Sequence, residues 1–309
     1  MNVIIATFNR LDTLRDTFQS IKQSTVLPDM VSIIDQSTDP LLAEEIRKLT
    51  LEAAFSAEYY HLDFPSLTRA RNYGMQQSED EILVYMDDDV SVEPETFKYI
   101  NEIMSDPNVA LIAGRNLLSK NTSNKLGYIF GFKAKEKEQL GGYVTKAMYG
   151  RYPIEIKSEM PTEWAMGYFF VVRKSLIQAW NLKWDEKFVT YGYPEDLDFS
   201  FRYCKNAREK KMKCILHPEV AVFHRVSTEW RETSSTVTYM TVLNREYLTY
   251  KLGLTLDYRL MTRWANIGLF LLRLIRCDRP WDVFKAQFFC DLYRNDIKKG
   301  NLHTELYQK

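Results

Sequence analysis

Short apolar runs alternate with amphipathic stretches along the first hundred residues. The apolar runs predict five strands, at residues 3–6, 30–34, 59–62, 81–86 and 109–113. Helices are predicted between them, as where Leu14, Phe18 and Ile21 recur at helical spacing. Strands that alternate with helices predict an α/β fold with a mostly parallel sheet covered on both faces. Ligands of such sheets bind beyond the carboxyl ends of the strands, so chemistry is expected there.

The regular pattern stops between residues 115 and 161, where the sequence is polar and typical of loops, for instance at 121–124. A long irregular stretch inside an α/β domain is usually functional or mobile. Regular structure is predicted again as strands at 167–172 and 220–223, with a helix over 196–205 between them.

From residue 239 onward the sequence predicts helices, and its charge differs from the rest. Residues 240–309 carry 12 Lys+Arg and 7 Asp+Glu, a balance of +5. On a helical wheel one stripe is polar and basic, formed by Arg259, Arg263, Asn266 and Arg273. The opposite side is apolar, formed by Leu260, Trp264, Ile267, Leu271, Leu274 and Ile275. Such a helix either lies at an anionic membrane surface or packs its apolar side on the main domain.

Composition narrows the class of protein. The chain has 309 residues, 45% of them hydrophobic, with 41 basic and 41 acidic side chains. A core of this size excludes a disordered chain, and zero net charge argues against a dedicated nucleic-acid partner. Four cysteines without CxxC spacing favour free thiols in a reducing cytoplasm. No signal peptide is expected, because the sequence does not open with a charged segment followed by an apolar one. No transmembrane span is expected, because the apolar run at 267–272 is far too short to cross a bilayer.

Three carboxylates, Asp87, Asp88 and Asp89, directly follow the predicted strand at 81–86. Adjacent negative charges repel one another, so a site of this kind needs a counter-ion. Carboxylate oxygens suit Mg²⁺ or Mn²⁺, and Mg²⁺ typically takes one or two of them together with substrate phosphates. The position after a buried strand favours a cation and diphosphate site over a solvated acidic loop.

A second acidic group, Glu195, Asp196 and Asp198, precedes a predicted helix. Helix capping and the helix dipole explain such residues without any catalytic function, so both explanations stay open. His224 closes the apolar run at 220–223, where a lone histidine is more often structural than a metal ligand.

Together these segments resemble the inverting family 2 glycosyltransferases of the GT-A fold, over about residues 2–252. Eight pieces match in order: the opening strand and first nucleotide loop (3–10), the second loop (34–39), the ARNxG helix start (69–74), the DxD motif (87–89), the strand before the acceptor site (167–170), the FDExF and EDxDLxxR block (184–202), the strand ending in His224, and the RNRxYxxxK helix (244–251). Each piece is weak alone, but eight in order form a specific signal.

The resemblance implies two regions. Residues 1–238 are expected to form a GT-A catalytic domain, a Rossmann-like nucleotide-binding sheet flanked by helices. Its nucleotide-sugar half is residues 1–114 and its acceptor half is 115–238, with 115–161 as a candidate acceptor loop or lid. Residues 239–309 are expected to form a C-terminal helical appendage.

The implied reaction is the metal-dependent, inverting transfer of a hexose-like sugar from a UDP- or dTDP-sugar to a hydroxyl of a saccharide or lipid-linked saccharide. Asp196 is implied as the general base, with Glu195 as the less favoured alternative. Mn²⁺ or Mg²⁺ is implied at Asp87, Asp89 and His224. Donor contacts are implied at Thr7, Asn9, Arg10, Asp35, Arg69, Arg71, Asn72, Asp87 and Asp88. Acceptor contacts are implied at Trp164, Gly167 and Trp184.

Several of these assignments have alternatives. Arg69 and Arg71 are expected to pair with a diphosphate, with Asp88, or with other side chains in surface ion pairs. The two tryptophans are expected either to stack on sugars or to pack in the core. The sequence departs from the family pattern at Trp184, where Phe is common, and at Pro194, where Gly is usual. Residues 181–183 also lack the usual Gly-Gly. These departures leave the acceptor class open.

Two other functions are weighed against this one. A sugar-nucleotide nucleotidyltransferase needs a glycine-rich loop after the first strand, and residues 7–10 contain no glycine. A non-catalytic nucleotide- or sugar-binding GT-A subunit is the second alternative, although the implied acids and His224 are all present. A cytoplasmic protein is expected, peripheral on the inner face of the membrane if residues 258–276 contact it. In that case a lipid-linked acceptor of bacterial cell-surface polysaccharide synthesis is expected.

Overall fold

The computed structural model describes residues 1–119, 125–189, 192–226 and 233–308, so the predicted loop at 121–124 lies outside the described residues. The strands are β1 (Asn2–Thr7), β2 (Met30–Asp35), β3 (Ala57–His61), β4 (Ile82–Asp87), β5 (Val90–Val92), β6 (Val109–Asn116), β7 (Tyr143–Val144), β8 (Gly150–Arg151), β9 (Met160–Pro161), β10 (Phe169–Arg173) and β11 (Lys213–His224). The helices are α1 (Leu11–Lys22), α2 (Pro40–Leu51), α3 (Leu67–Gln77), α4 (Thr96–Met104), α5 (Lys125–Ile129), α6 (Lys174–Ala179), α7 (Glu195–Glu209), α8 (Ser234–Lys251), α9 (Leu256–Ile275), α10 (Trp281–Leu292) and α11 (Arg294–Lys299), followed by a 3-10 helix (Thr304–Gln308).

The main sheet has the strand order β3-β2-β1-β4-β10-β6-β11-β5, and β9 also pairs with β11. The pairs among β1 to β4 are parallel, as is β6 with β11, whereas β10 runs antiparallel between β4 and β6. The predicted α/β class with a mostly parallel sheet is confirmed. This order brings the ends of β1, β2, β4, β6 and β11 to one edge, where the acidic residues lie.

Both faces of the sheet are buried. Val3 and Ile5 of β1 pack in the core on one face, while Ile4 packs in the core on the other. Helix α3 lies so close to β1 that a Cβ at Gly74 would be 2.5 Å from Ile4. The continuous apolar runs of the sequence therefore reflect strands without a solvent-facing side.

A short strand that the sequence analysis missed has a direct effect on the site. β5 has only three residues, and it pairs antiparallel with the end of β11 in the register His224 with Val90. β11 itself begins at Lys213, seven residues before the predicted strand, and contains an irregularity between Leu216 and Ala221. The pairing places His224 beside the turn that holds the three aspartates.

Within the described residues 233–308 the chain forms four α-helices and a 3-10 helix. α8, α10 and the last turns bury their own apolar cluster, which includes Leu243, Tyr247, Val283 and Leu302. α8 begins at Ser234 and so crosses the boundary predicted at residue 238. No helix in the described ranges is long and apolar enough to cross a membrane.

Helix α9 has one polar and one apolar side, as predicted. Its orientation differs from the predicted alternative in which the apolar side packs on the main domain. The polar stripe points into the helical bundle, where Arg263 pairs with Glu246 and Asp291, and Asn266 is buried against Arg245. The apolar side packs on the main domain only in part, since the Trp264 ring lies 5.4 Å from the Phe130 ring. It remains exposed at Leu256, Leu260, Trp264, Ile267, Leu271, Leu274 and Ile275.

The neighbouring helix α10 extends this apolar surface. It exposes Trp281, Phe284, Phe288 and Leu292. Phe270 of α9 contacts the rings of Trp281 and Phe284, with centroids 5.6 and 4.4 Å away, so the two surfaces adjoin. We call these eleven exposed residues of α9 and α10 the outer face.

Candidate active site

The three aspartates form the turn between β4 and β5. Asp87 is the last residue of β4, and it pairs with Ala6 of β1 across the sheet. Asp88 and Asp89 follow in the turn and are buried. The structure therefore places all three carboxylates at the carboxyl edge of a central parallel strand, where the α/β rule locates ligands.

Asp88 is tied to the first loop of the chain. Its carboxylate accepts hydrogen bonds from the Thr7 hydroxyl at 2.8 Å and from the Arg10 guanidinium at 3.0 Å. Burial raises the pKa of Asp88 to about 7, although the charge of Arg10 opposes this shift. The cation next to Asp88 is thus Arg10, and neither Arg69 nor Arg71 contacts it among the described hydrogen bonds and ion pairs.

Asp87, Asp89 and His224 form a group that could hold a metal ion. One ligand atom from each residue lies within 4.8 Å of the others, and His224 Nε2 is 3.1 Å from Asp89 Oδ1. The imidazole stacks on the ring of Tyr168 with centroids 4.9 Å apart, and the His224 amide donates to Asn116. Two carboxylates and one imidazole nitrogen are a donor set that suits Mn²⁺ or Mg²⁺ with open positions for further oxygen ligands.

Arg71 lies at the centre of the acidic site and is buried. Its guanidinium donates to Asp87 at 2.9 Å, to Glu195 at 3.2 Å and to the carbonyl of Gly167 at 2.9 Å. The same group lies over the ring of Trp184, 4.5 Å from the centroid. Arg71 therefore connects the predicted metal group with the start of α7.

The two acids at the start of α7 differ in their surroundings. Glu195 is buried against Arg71, and burial followed by the charge of Asp196 raises its pKa to about 8. Asp196 is half-buried and accepts hydrogen bonds from the backbone N–H of Gly167 at 2.9 Å and of Leu197 at 2.7 Å. Burial also raises the pKa of Asp196, and these two N–H donors oppose the shift. Asp196 is thus a fixed carboxylate with partial access to solvent.

Gly167 makes this arrangement possible because it has no side chain. A Cβ at Gly167 would be 3.0 Å from the Cβ of Asp196 and 3.3 Å from the guanidinium of Arg71. Both contacts are tight, so any side chain there would displace one of the two charged groups. Gly167 contributes its backbone N–H and carbonyl to the site.

The remaining acids of the block are structural. Asp198 is fully buried and accepts from Lys251 at 2.7 Å and from Arg202 at 2.7 Å. Lys251 also donates to Asp185 at 2.7 Å, and the Tyr247 hydroxyl donates to the same carboxylate. This network joins α7 to α8, and it explains Asp198 without a contact to substrate.

The first and second loops are joined beside an open cleft of about 460 Å³. Asn9 contacts Thr38 through both its amide nitrogen and oxygen, and its backbone N–H donates to Ser37. Asp35 is fully buried and accepts from Ser37 and from the hydroxyl of Tyr59. Tyr59 and Ser37 line the cleft, so Asp35 lies behind its wall.

Four predicted substrate contacts are placed in packing or surface positions. Trp184 has no exposed surface and stacks on Phe199 at 4.4 Å. Trp164 is 5% exposed and fills the space beside Gly150. Asn72 is buried and bonds to the backbone of Trp184. Arg69 is exposed, 3.8 Å from Glu186 and above the Phe64 ring. The structure thus gives each of these four residues a packing or surface contact, and their contacts with substrate stay predictions.

A second cleft, of about 470 Å³, lies on the other side of the aspartates. Asn116, Tyr152 and Tyr168 line it together with Arg115 and residues 153–157. Neither Asn116 nor Tyr152 was predicted as a site residue, because both lie within the irregular stretch and carry no motif. Asn116 comes shortly after the predicted strand at 109–113, so the sheet-edge rule could have indicated it, whereas Tyr152 follows no predicted strand.

Comparisons with known proteins bear on the family and the fold of the chain. The family model of "Glycosyl transferase family 2" matches residues 2–176 of the chain. Among curated proteins the search finds no match.

Solved structures are similar in fold at low sequence identity. GalNAc-T7 with UDP, GalNAc and Mn²⁺ has a TM-score of 0.60 at 16% identity, covering 80% of this chain and 47% of that one. The Pyrobaculum calidifontis mannosyltransferase PcManGT with GDP-Man and Mn²⁺ has a TM-score of 0.54 at 11% identity, covering 99% and 84%. TarS from S. aureus has a TM-score of 0.52 at 15% identity, covering 87% and 42%. The chain therefore spans less than half the length of GalNAc-T7 and of TarS.

Proposed function

The chain belongs to glycosyl transferase family 2, and we propose that it transfers a sugar from a UDP- or dTDP-sugar to an acceptor hydroxyl with inversion at the anomeric carbon. The observation that carries the proposal is the single guanidinium of Arg71, which joins Asp87 of the metal group to Glu195 beside Asp196. Leaving-group stabilisation and general base catalysis need to occur a few ångströms apart, and this arrangement brings their candidate residues together.

Asp87, Asp89 and His224 would hold Mn²⁺ or Mg²⁺, because their ligand atoms lie within 4.8 Å of one another and match the preferences of both ions. GalNAc-T7 and PcManGT, which share the fold, contain Mn²⁺ in their solved structures. When bound, the ion would neutralise negative charge on the diphosphate as the sugar leaves.

Asp196 is the proposed general base. The N–H groups of Gly167 and Leu197 fix its carboxylate, and its partial exposure leaves it accessible to an acceptor hydroxyl. A pKa raised by burial makes the carboxylate a stronger base, which suits proton transfer near neutral pH. Glu195 is less suited, because it is buried against Arg71 and a pKa of about 8 leaves much of it protonated near neutral pH.

The donor is proposed to lie across the ends of β2, β1 and β4. Thr7 and Arg10 hold Asp88 at the centre of this edge, and the cleft of about 460 Å³ beside Ser37 and Tyr59 is proposed for the nucleobase. Asn9 would support the loops on either side. Asp35 would act on the base through Tyr59 rather than by direct contact, since it is fully buried.

The acceptor is proposed to enter from the opposite side, through the cleft beside Tyr152 and Tyr168. Because β4 lies between β1 and β6 in the sheet order, the two clefts flank the aspartates and leave the sugar between them. We propose residues 1–238 as the catalytic region, with the acceptor half at 115–238, and a saccharide or lipid-linked saccharide as acceptor. A lipid-linked acceptor accords with a peripheral membrane contact through residues 258–276.

The test of the proposed base is Asp196→Asn, assayed by release of UDP or dTDP from UDP- and dTDP-sugars in the presence of Mn²⁺. General base catalysis is worth roughly 10²–10⁴-fold, so release should fall by that factor. Affinity for the free nucleotide with Mn²⁺ should stay within a few-fold. Asp12→Asn, an exposed carboxylate on α1, is the matched control and should leave release unchanged.

A loss of activity in Glu195→Gln with full activity in Asp196→Asn would move the base to Glu195. If the wild-type chain binds nucleotide but releases none from any donor, the non-catalytic subunit replaces this proposal. The anomeric configuration of the product, measured by NMR, tests inversion separately.

A further inference from the structure

The outer face of α9 and α10 is a continuous apolar surface on the outside of the molecule. Its side chains are exposed over the whole length of α9, from Leu260 at 58% to Ile275 at 75%. α5 adds Leu126 and Ile129 beside it, since the Trp264 indole donates to the carbonyl of Ile129. Contiguous apolar patches of this kind mark protein or membrane interaction sites.

We propose that the outer face docks on the surface of an anionic lipid bilayer, with both helices lying in the interfacial plane. This deepens the proposed function, because it presents the site to acceptors anchored in lipid, and to that extent it rests on that function. No helix in the described part of the chain is suited to span the bilayer, so the contact is with one leaflet.

Charge favours a lipid surface as the occupant. Within residues 256–292 each acidic side chain already forms an ion pair, in the pairs Asp257–Lys146, Asp278–Arg273, Asp282–Arg279 and Asp291–Arg263. Arg276, at the end of α9, and Lys285, between Phe284 and Phe288 on α10, are exposed and have no ion pair among the described residues. The outer face therefore carries positive charge that is not compensated within the chain, which suits anionic headgroups.

The aromatic residues on this face also fit an interface. Trp264 and Trp281 are 43% and 65% exposed, and amphipathic rings of this type concentrate where apolar and aqueous phases meet. The basic stripe of α9 does not belong to this face, because Arg263 and Arg273 form ion pairs with Asp291 and Asp278. The lipid-facing cations are Arg276 and Lys285 instead.

A second copy of the chain fits the face less well. A two-fold interface pairs the same surface with itself, so it would gather Arg276 and Lys285 of both copies in one interface. The acids of the two helices are already paired and would give these cations no partner. Apolar area alone would suit either a lipid surface or a second copy of the chain. The charges of Arg276 and Lys285 favour the lipid surface.

The docking surface is also connected to the catalytic helix. Asn244 of α8 donates to the carbonyl of Tyr193 at 2.7 Å, two residues before Glu195. Arg245 of the same helix bonds to Asn266 of α9. The bundle that carries the outer face therefore also supports the start of α7, which fixes the orientation of the site relative to the docked surface.

The test is co-sedimentation of the full chain with vesicles of phosphatidylcholine, with and without phosphatidylglycerol. The variant Leu260→Glu/Phe288→Glu places two charges on the outer face. The matched control, Leu41→Glu/Leu51→Glu, introduces two glutamates at positions on α2 that are at least as exposed, 78% and 62% against 58% and 62%. Burial of one leucine shifts an equilibrium by about tenfold or more, so the outer-face variant should bind vesicles at least tenfold more weakly. The control should bind like wild type.

The variant Arg276→Gln/Lys285→Gln should lose the preference for phosphatidylglycerol and keep residual binding to both vesicles. Circular dichroism and binding of UDP or dTDP with Mn²⁺ should be unchanged in all variants, which separates a docking failure from a failure of the proposed function. Equal loss of vesicle binding in the α2 control would overturn the proposal. The proposal would also be overturned if the wild-type chain binds neither kind of vesicle, whether it stays monomeric or forms a dimer that the outer-face variant dissociates.

Discussion

Replacing Arg71 by methionine removes the guanidinium that contacts both Asp87 and Glu195. Arg71 is 3% exposed, and its partners lie at 2.9 and 3.2 Å. Methionine keeps most of the apolar length against Trp184 but leaves two carboxylates without their cation. Removing one partner of a buried ion pair typically costs about 3–5 kcal/mol, so we expect a loss of that size in the free energy of unfolding.

The pH dependence gives this prediction a second signature. Burial raises the pKa of both Asp87 and Glu195 even with Arg71 present, the latter to about 8. A carboxyl group with a raised folded-state pKa contributes stability that is full below its unfolded value and is lost as pH rises through the folded value. Without the charge of Arg71, the pKa values of Asp87 and Glu195 should both rise further. The two native states bind different numbers of protons only between the wild-type and the variant pKa of each group, so the stability difference should be smallest near the ordinary glutamate pKa of 4.5 and should widen as pH rises above about 8.

The assay is urea denaturation followed by tryptophan fluorescence, without metal, across this pH range. Arg71→Lys keeps a positive charge and should recover part of the loss. Its single ammonium group cannot contact both carboxylates and the Gly167 carbonyl as the planar guanidinium does. Arg47→Met, which breaks an exposed pair with Glu44 on α2, should cause no measurable change. A loss in Arg71→Met below about 1 kcal/mol, the range of exposed pairs, or a loss that does not vary with pH, would refute this reasoning.

Three further predictions concern single side chains. Trp184→Ala should lower the free energy of unfolding by about 3–5 kcal/mol, measured by denaturation, and leave the acceptor KM unchanged at a permissive temperature, because the indole is fully buried; a raised KM with normal stability would restore its predicted acceptor contact. His224→Ala should weaken Mn²⁺ binding by about tenfold or more in calorimetry, since it removes one of three candidate ligands, and unchanged affinity would remove His224 from the metal group. The rate of transfer at saturating Mn²⁺ should fall as pH decreases through a pKa above 3.8, because burial raises the pKa of Asp196 and the base acts deprotonated; an acid limb at or below 3.8 would contradict the assignment.

The sequence predicted the parts of the fold that are set by burial on both faces. The interiors of β1 and β4 are apolar, and that of β2 is interrupted only by Ser32, because neither face of these strands meets solvent; this pattern is visible in a single sequence. β5 was missed because three residues carry no periodicity, and the strand exists only through its pairing with β11. The proximity of His224 and Asp89 depends on that pairing, so it followed from the family resemblance and not from local pattern.

The predicted site residues likewise divide into those whose positions the sequence indicated and those whose positions it did not. Asp87, Asp89 and Asp196 are brought to one region because strand ends and helix starts meet at the sheet edge, which topology determines. Trp184 was a plausible sugar contact because a sequence does not show how deeply a tryptophan is buried. Periodicity likewise gave both sides of α9 but not their orientation, because the ion pairs that draw Arg263 inward come from α8 and α10.

The central claim is that Asp87, Asp89 and His224 bind the metal through which a nucleotide diphosphate is held. Calorimetric titration of UDP, dTDP, GDP and CMP, each with Mn²⁺ and again with EDTA, tests it most directly. The account predicts that UDP or dTDP binds tightly with Mn²⁺ and at least tenfold more weakly with EDTA, as loss of a charge-neutralising ion requires. Binding of the same nucleotide with equal affinity in EDTA would contradict the metal site.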